Sequence, residues 1–380
     1  MAVLASHRCV LLIEGCELFK RYVKYSSLEF VMLAREGDFI QHKSGVIFDV
    51  KGLIHPKVKV IAFPRYIPNP DGSRHDNGGV CYGKVYSLED RFSFLQEHLS
   101  HLLLFDDVFG ETLCEVPINE ITRHFKPQEK LLSLSNTAGF EGVLEEKALR
   151  FVVDLQHKSG LSLDVFGVSG SILAGLTTAT SDIDLLVYGE NNCRKVYAAL
   201  QCMFNEKAGG GGGGHLRVKA YTVGELKVLY DFRSKDTHMS FEDFYRVESR
   251  KAFQGMYEGT DFFVRFVKDW SELSEQYGDI CYSNSGYVKI TAVISGKAES
   301  LFTPCTYQLE NVSVIDGPSL SPICEVSSFR GRFCEQADMG ETITAQGKAE
   351  LVVNKKSGVT YYRLILGSKP QDYMVLGTTV

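Results

Sequence analysis

The sequence predicts a multidomain α+β protein: a central α/β domain with a mixed sheet, preceded by an α+β domain and followed by a small β-barrel. Three observations predict it. The chain has 380 residues, enough for two or three hydrophobic cores. Between about residues 136 and 275, strand-like and helix-like runs alternate, as in an α/β sheet. From about 276 the pattern changes to short β-type runs broken by Gly, Pro, Asn and Ser, as in a barrel or sandwich. The expected spans are 1–135, 136–275 and 276–380.

In the first span, "GVIFDVKGLI" and "KVKVIAFPRYI" are β-branched, apolar runs separated by the turn chemistry of Gly52 and His55–Pro56. "IPNPDGSRHDNGG" (67–79) is a loop. "SLEDRFSFLQEHLSHLLL" (87–104) has helical spacing, with Ser87 placed to cap and Glu89 and Asp90 in the first turn. A second short helix is expected in "PINEITRHF" (117–125). "LLSLSNTAGF" (131–140) reads as a connector. The first 31 residues differ in character from the rest of the chain.

In the second span, "EGVLEEKALRFVVDLQHKSG" is strongly helical and ends at a Gly, the common helix stop. Six consecutive glycines, Gly209–Gly214, read as a flexible surface loop or as a substitute for one. In the third span, "GYVKITAVI", "CTYQLENVSVI", "ETITAQGKAELVV" and "VTYYRLILG" are the expected barrel strands. An oligonucleotide-binding-type barrel is one candidate.

Composition narrows the function. Hydrophobic content of 44% and charged content of 23% are those of a globular protein. A formal charge of −6 argues against gripping nucleic acid along the whole surface, so any such partner is held by a local patch or by its end. Ten cysteines without a C-x-x-C pair point to reduced thiols and a cytoplasmic setting, not a zinc ribbon. No run approaches the roughly 18 apolar residues of a membrane span, so no membrane partner is expected.

The chemistry is concentrated in "LDVFGVSGSILAGLTTATSDIDLLVYG" (163–189). It reads as strand, tight turn at Gly170–Ser171, short helix, and a second strand headed by Asp182 and Asp184. Residues two apart on a strand share a face, so both carboxylates project together while Ile183 turns to the core. Two like charges side by side call for a cation, and an all-oxygen set suits Mg²⁺ or Mn²⁺. The free N–H groups at the helix start and the Ser171 hydroxyl suit phosphate oxygens, and Gly170 has no Cβ to block their approach.

This stretch resembles the polymerase β-like nucleotidyltransferase superfamily: Gly170–Ser171, Gly175 and Ser181–Asp182–Ile183–Asp184 match its spacing, over about 27 residues. The family often has a basic residue where Ala174 stands. The whole chain also resembles an uncharacterised archaeal-type group of predicted nucleotidyltransferases.

The resemblance implies that Asp182 and Asp184 hold metal, with a third carboxylate from a later strand. Asp261 in "GTDFFVRFVKD" is best placed for it, with Glu258 and Asp269 as weaker choices. Gly170, Ser171 and Ser181 would hold the nucleotide, and Arg250, Lys251 and Arg265 are candidates to neutralise its triphosphate. The implied reaction is attack of an acceptor hydroxyl on the α-phosphorus of a nucleoside triphosphate, with pyrophosphate leaving. The acceptor is left open among an RNA end, a protein and a small molecule, with RNA contact expected through the C-terminal β domain.

Blander readings stand beside these. Asp182 and Asp184 alone would be a solvated turn, and each of the three cations more often makes a surface ion pair. "SSFRGRFCEQA" (327–337) offers arginines and aromatics to nucleic acid but reads better as a barrel strand. The same holds for "PRYIPNP" and "YGKVY". The histidines show no metal-ligand spacing. The alternative function is a non-catalytic nucleotide- or RNA-binding protein, or a scaffold, built on a degenerate transferase domain.

Overall fold

Eight strands of the first span form one sheet in the computed structural model, which describes residues 32–136, 142–206 and 217–377. Residues 1–31, the end of the expected connector and the six-glycine run lie outside the described residues. The strands are β1 (Phe39–His42), β2 (Ile47–Val50), β3 (Lys59–Pro68), β4 (Arg74–His75), β5 (Cys81–Lys84), β6 (Leu103–Asp106), β7 (Glu111–Pro117) and β8 (Ile121–Phe125). Helix α1 (Leu88–His98) lies between β5 and β6, and Ser87 caps it by accepting from the Asp90 N–H at 3.0 Å. It stops earlier than its spacing predicts, because Leu103 and Leu104 pair with Cys114 and Leu113. The helix expected over 117–125 is a 3-10 turn followed by β8, which pairs antiparallel with β1. Tertiary pairing of Ile121 and its neighbours overrides the local helical spacing.

The expected connector is in part a helix, α2 (Pro127–Asn136), whose Leu131 and Leu134 enter the central core. Then come α3 (Val143–Ser159), β9 (Phe166–Val168), α4 (Gly170–Ala174), β10 (Ile183–Tyr188), α5 (Glu190–Asn205), β11 (Val218–Lys219), α6 (Val223–Arg233), α7 (Phe241–Glu248), β12 (Gln254–Tyr257) and β13 (Thr260–Val267). Gly160 ends α3 in the left-handed conformation, φ 71°. The central sheet runs β11-β12-β13-β10-β9 and is mixed: β10 and β13 are parallel and the other pairs antiparallel.

Side-chain alternation gives this sheet two unlike faces. Ile183, Leu185 and Val187, with Phe262, Val264 and Phe266, are buried in one core with Phe151, Val152 and Leu155 of α3 and Val196 and Leu200 of α5. Burial of each such side chain contributes roughly 1.5–3 kcal/mol. On the opposite face, Leu186, Tyr188 and Val267 pack with Leu53 of the first span. That contact covers the C-terminal end of the strands and leaves the carboxylates at the other end.

The third sheet closes on itself. Its strands, in chain order, are β14 (Ile280–Gly296), β15 (Cys305–Asp316), β16 (Ile323–Ser328), β17 (Thr342–Asn354), β18 (Thr360–Leu366) and β19 (Tyr373–Leu376). The pairing β14-β15-β16-β18-β17 returns to β14, and β19 extends β17. β16 and β18 are parallel, and all other pairs are antiparallel. The barrel strand expected over 327–337 is absent: β16 ends at Ser328 and a 3-10 turn comes next at Gly331–Phe333.

Each sheet falls inside one expected span, yet the cores run across the boundaries. One cluster extends from Leu131 through the central sheet to Ile290, Tyr307 and Leu364 of the barrel. Another joins Phe39, Tyr66 and Phe125 to Leu173 and Leu176. The described residues from Leu33 onward accordingly gather into one compact unit. No helix among them is long and apolar enough to cross a membrane.

Candidate functional site

The turn after β9 is tied to both of its neighbours. The Ser169 N–H donates to the Asp184 carbonyl at 2.8 Å, and the Ser169 hydroxyl donates to the Gly37 carbonyl at 2.7 Å. Gly170 has φ +59°, and a Cβ built on it would stand 2.0 Å from Asp184 Oδ2. Glycine is thus demanded twice, by backbone conformation and by the carboxylate against it. Gly175, φ +69°, ends α4. Ser171 is only 2% exposed, and its Oγ has no hydrogen-bond partner among the described residues. The same holds for the hydroxyl of buried Tyr66. Buried polar atoms are rarely left unsatisfied, which marks this turn as a place where a polar ligand fits.

Asp184 lies on the face of β10 opposite the central core, partly buried, with Asp182 two residues before it. The register pairs Ile183 with Phe262 and Asp184 with Phe263 in parallel. Asp182 and Asp261 therefore each precede the first of these pairs, and all three carboxylates belong to one face. Burial, then the charge of Asp182, pushes the Asp184 carboxyl up to about 7, while Arg265, Lys84 and Arg65 pull against that rise. Asp261 Oδ1 accepts from the Tyr221 hydroxyl at 2.9 Å. Burial and Asp261 raise the Tyr221 phenol further, and Asp182 acts on it too.

Of the expected cations, only Arg265 reaches this place. It acts on Asp184 and forms an ion pair with buried Glu36. Arg250 makes a two-pronged contact with Glu341 of the barrel, at 2.7 and 3.1 Å. Lys251 is buried and donates to Glu248, to the Arg332 carbonyl and to Gln336 at 2.6–2.8 Å. These two residues fasten the end of α7 to the barrel. Ser181 directly precedes Asp182. Its hydroxyl accepts from the Thr178 N–H at 2.9 Å and from Arg74 at 3.4 Å, so it closes its own turn. Glu258 pairs with Arg150 and Arg217, and Asp269 caps the turn at Trp270–Glu272.

The first span supplies residues that sequence order conceals. Arg65 and Lys84 act on Asp184, and Tyr66 feels the charges of Asp184 and Asp182. Arg74 donates to the Leu176 carbonyl, bracing the segment between α4 and Asp182. Arg65 and Tyr66 belong to "PRYIPNP" and Lys84 to "YGKVY", so an arginine or lysine within two residues of a tyrosine was the available signal. In the 327–337 segment, Arg330 and Arg332 are both held by Asp236 at 2.5 Å.

Sequence spacing also missed a histidine cluster. His42, His101 and Glu120 form the group of three potential metal ligands whose ligand atoms lie within 4.8 Å of one another among the described residues; the three aspartates do not draw together so closely. His42 Nε2 stands 2.7 Å from Glu120 Oε2, and Lys43 Nζ stands 3.0 Å from Oε1. Two ligands on one tetrahedral zinc stand about 3.3 Å apart. The shorter contact is a charge-assisted hydrogen bond, and the hydrogen bond from His42, with that from Lys43, lowers the Glu120 carboxyl to about 2.

The uncharacterised protein MJ1086 of Methanocaldococcus jannaschii is 31% identical over 349 residues, covering 90% of this chain and 98% of that protein. The chain belongs to the MJ1086 family. No protein-family model matches it. No solved structure matches it either. Because that relative is itself uncharacterised, the chemistry of the site rests on the residues of the site.

Proposed function

We propose that this chain is a metal-dependent nucleotidyltransferase of the polymerase β-like kind, moving a nucleoside monophosphate from a triphosphate to a hydroxyl acceptor. The observation that carries the reading is Gly170 packed against Asp184, with Asp182 and Asp261 on the same sheet face. An all-carboxylate set fits Mg²⁺ or Mn²⁺, and the unpartnered Ser171 hydroxyl fits a phosphate oxygen. Asp182 and Asp184 would be the principal ligands and Asp261 the third. A bound divalent ion would supply charge neutralisation and polarisation at the reacting phosphate.

The chain's own residues do the rest. Gly170 lets the triphosphate approach the backbone, and Ser171 donates to it. Arg265, Arg65 and Lys84 offset negative charge beside the carboxylates. Tyr221 orients Asp261 by its hydrogen bond. Asp261 is also the group suited to accept the proton of the attacking hydroxyl, because it sits at the strand head away from the Gly–Ser turn. The closing order of the barrel, with its one parallel contact between third and fifth strands, supports an oligonucleotide-binding-type barrel beside this site.

A second reading is nucleotide binding without chemistry. It is favoured by the spread of the three carboxylates and by the hydroxyl that Tyr221 places on Asp261. Incubation with four α-labelled nucleoside triphosphates, Mg²⁺ or Mn²⁺, and cellular RNA or protein separates the two. Transfer that requires the metal and disappears in the Asp182→Asn, Asp184→Asn variant is expected. Equal transfer by that variant would sink the catalytic reading. Nucleotide binding with no transfer to any acceptor would favour the second.

A further inference from the structure

Two aromatic rings on the surface of the molecule are left half in solvent. Tyr86 lies just beyond β5 and is 49% exposed; Phe232 is near the end of α6 and is 50% exposed. They come from separate parts of the chain and meet edge to face, centroids 5.8 Å apart. Aromatic side chains normally bury most of their surface, so an exposed pair brought together by tertiary packing points to a ligand. One helical turn before Phe232, Val228 is 71% exposed and lengthens the apolar shelf.

Cations lie on this shelf. Lys84 Nζ is 4.7 Å from the Tyr86 ring centroid and the Arg65 guanidinium is 5.0 Å from it. Arg65 also donates to the Val85 carbonyl at 3.3 Å, which fixes its head beside the ring. The cations that touch the shelf also act on the Asp184 carboxylate. A ligand here needs a flat apolar part for the rings and negative charge for the cations, with a reactive end directed to the carboxylates.

We propose that Tyr86 and Phe232, flanked by Arg65 and Lys84, form a stacking shelf for an unpaired base of a single-stranded polynucleotide, which makes the acceptor a nucleic-acid strand end. This rests on the transferase reading. The openness of the shelf decides for a strand over the triphosphate's own base. Small ligands are held in enclosed pockets, whereas single strands lie across open aromatic platforms lined by cations. A duplex is excluded because its bases are already stacked on one another. The −6 net charge agrees with a short local footprint.

The test uses the full chain and end-labelled 12-mers, single-stranded RNA, single-stranded DNA and duplex, monitored by fluorescence anisotropy. Binding of a non-hydrolysable nucleoside triphosphate with Mg²⁺ is measured beside it. Single strands are expected to bind at least tenfold tighter than duplex. Tyr86→Ala with Phe232→Ala should weaken strand binding roughly tenfold or more, and Tyr86→Trp should restore most of it. Nucleotide affinity should stay within about threefold. Equal binding of duplex, no strand binding by the wild type, or no effect of the double variant overturns the shelf. Loss of nucleotide binding instead of strand binding overturns it too, by assigning the rings to the triphosphate. The underlying reading fails separately: shelf-dependent strand binding without metal-dependent label transfer would keep the shelf and remove the enzyme.

Discussion

At Gly170 the backbone, the missing side chain and Asp184 meet at one point. A methyl group there would stand 2.0 Å from Asp184 Oδ2 on a backbone of φ +59°. Gly170→Ala should therefore lower stability by about 1–3 kcal/mol, read from urea unfolding, and abolish metal-dependent label transfer even where the protein folds. Asp184 gives a pH test. Its carboxyl, usually near 3.8, is raised to about 7. The folded chain then holds a proton that the unfolded chain loses. The associated stability is full below about pH 4 and falls as pH rises through 7, so an ionised Asp184 strains the fold at pH 8. Asp184→Asn should accordingly make the metal-free protein more stable by several kcal/mol at pH 8, by about 1–2 kcal/mol at pH 5 and by little near pH 4. Mg²⁺ should stabilise the wild type more at pH 8 than at pH 6, because binding must displace that proton. Thermal unfolding at the two pH values, with and without Mg²⁺, checks both statements.

At the scale of elements, local patterns were readable and long-range ones were not. The shared face of Asp182 and Asp184 comes from two-residue alternation, and the positive φ of Gly170 and Gly175 was open to inference from a tight turn and a helix stop. Arg250 and Lys251 misled because they lie close to β13 in sequence, while the turn between directs them to the barrel. Arg65, Tyr66 and Lys84 are roughly a hundred residues from Asp184, and only packing of the first sheet on α4 brings them in. The strand at 121–125 was hidden for the same reason, since its partner β1 is about eighty residues away. A structural role for Lys251 is testable. It is buried with its charge paired to Glu248 at 2.6 Å. Lys251→Ala should cost roughly 1.5–3 kcal/mol by removing a buried charged donor, with Glu248 still held by Arg233 and Gln254, while nucleotide affinity of the folded fraction stays unchanged. Denaturant melts paired with nucleotide titration decide it.

For the whole molecule, the continuous core from Leu131 to Leu364 predicts that the central sheet and the barrel unfold as one cooperative body. Three sheets were readable as three spans because β and α periodicities change at their borders. Their merger was not, because no local pattern records which buried faces meet. Urea unfolding monitored by Trp270 fluorescence and by far-ultraviolet dichroism should give coincident transitions. Two separated transitions would show that the barrel or the first sheet melts independently. The arrangement also explains why cations of the first span act on Asp184 of the central sheet: Leu53 packs on the face that carries it, and Tyr66 shares a core with Leu173 of α4.

The most direct test is a Mn²⁺ titration monitored by electron paramagnetic resonance, with and without a non-hydrolysable nucleoside triphosphate, on the wild type and the Asp182→Asn, Asp184→Asn variant. Carboxylates that hold the ion for a triphosphate predict Mn²⁺ binding by the wild type, tightened by the nucleotide and lost in the variant. Equal Mn²⁺ binding by both proteins, or none by the wild type even with nucleotide present, would contradict the metal site at Asp182 and Asp184.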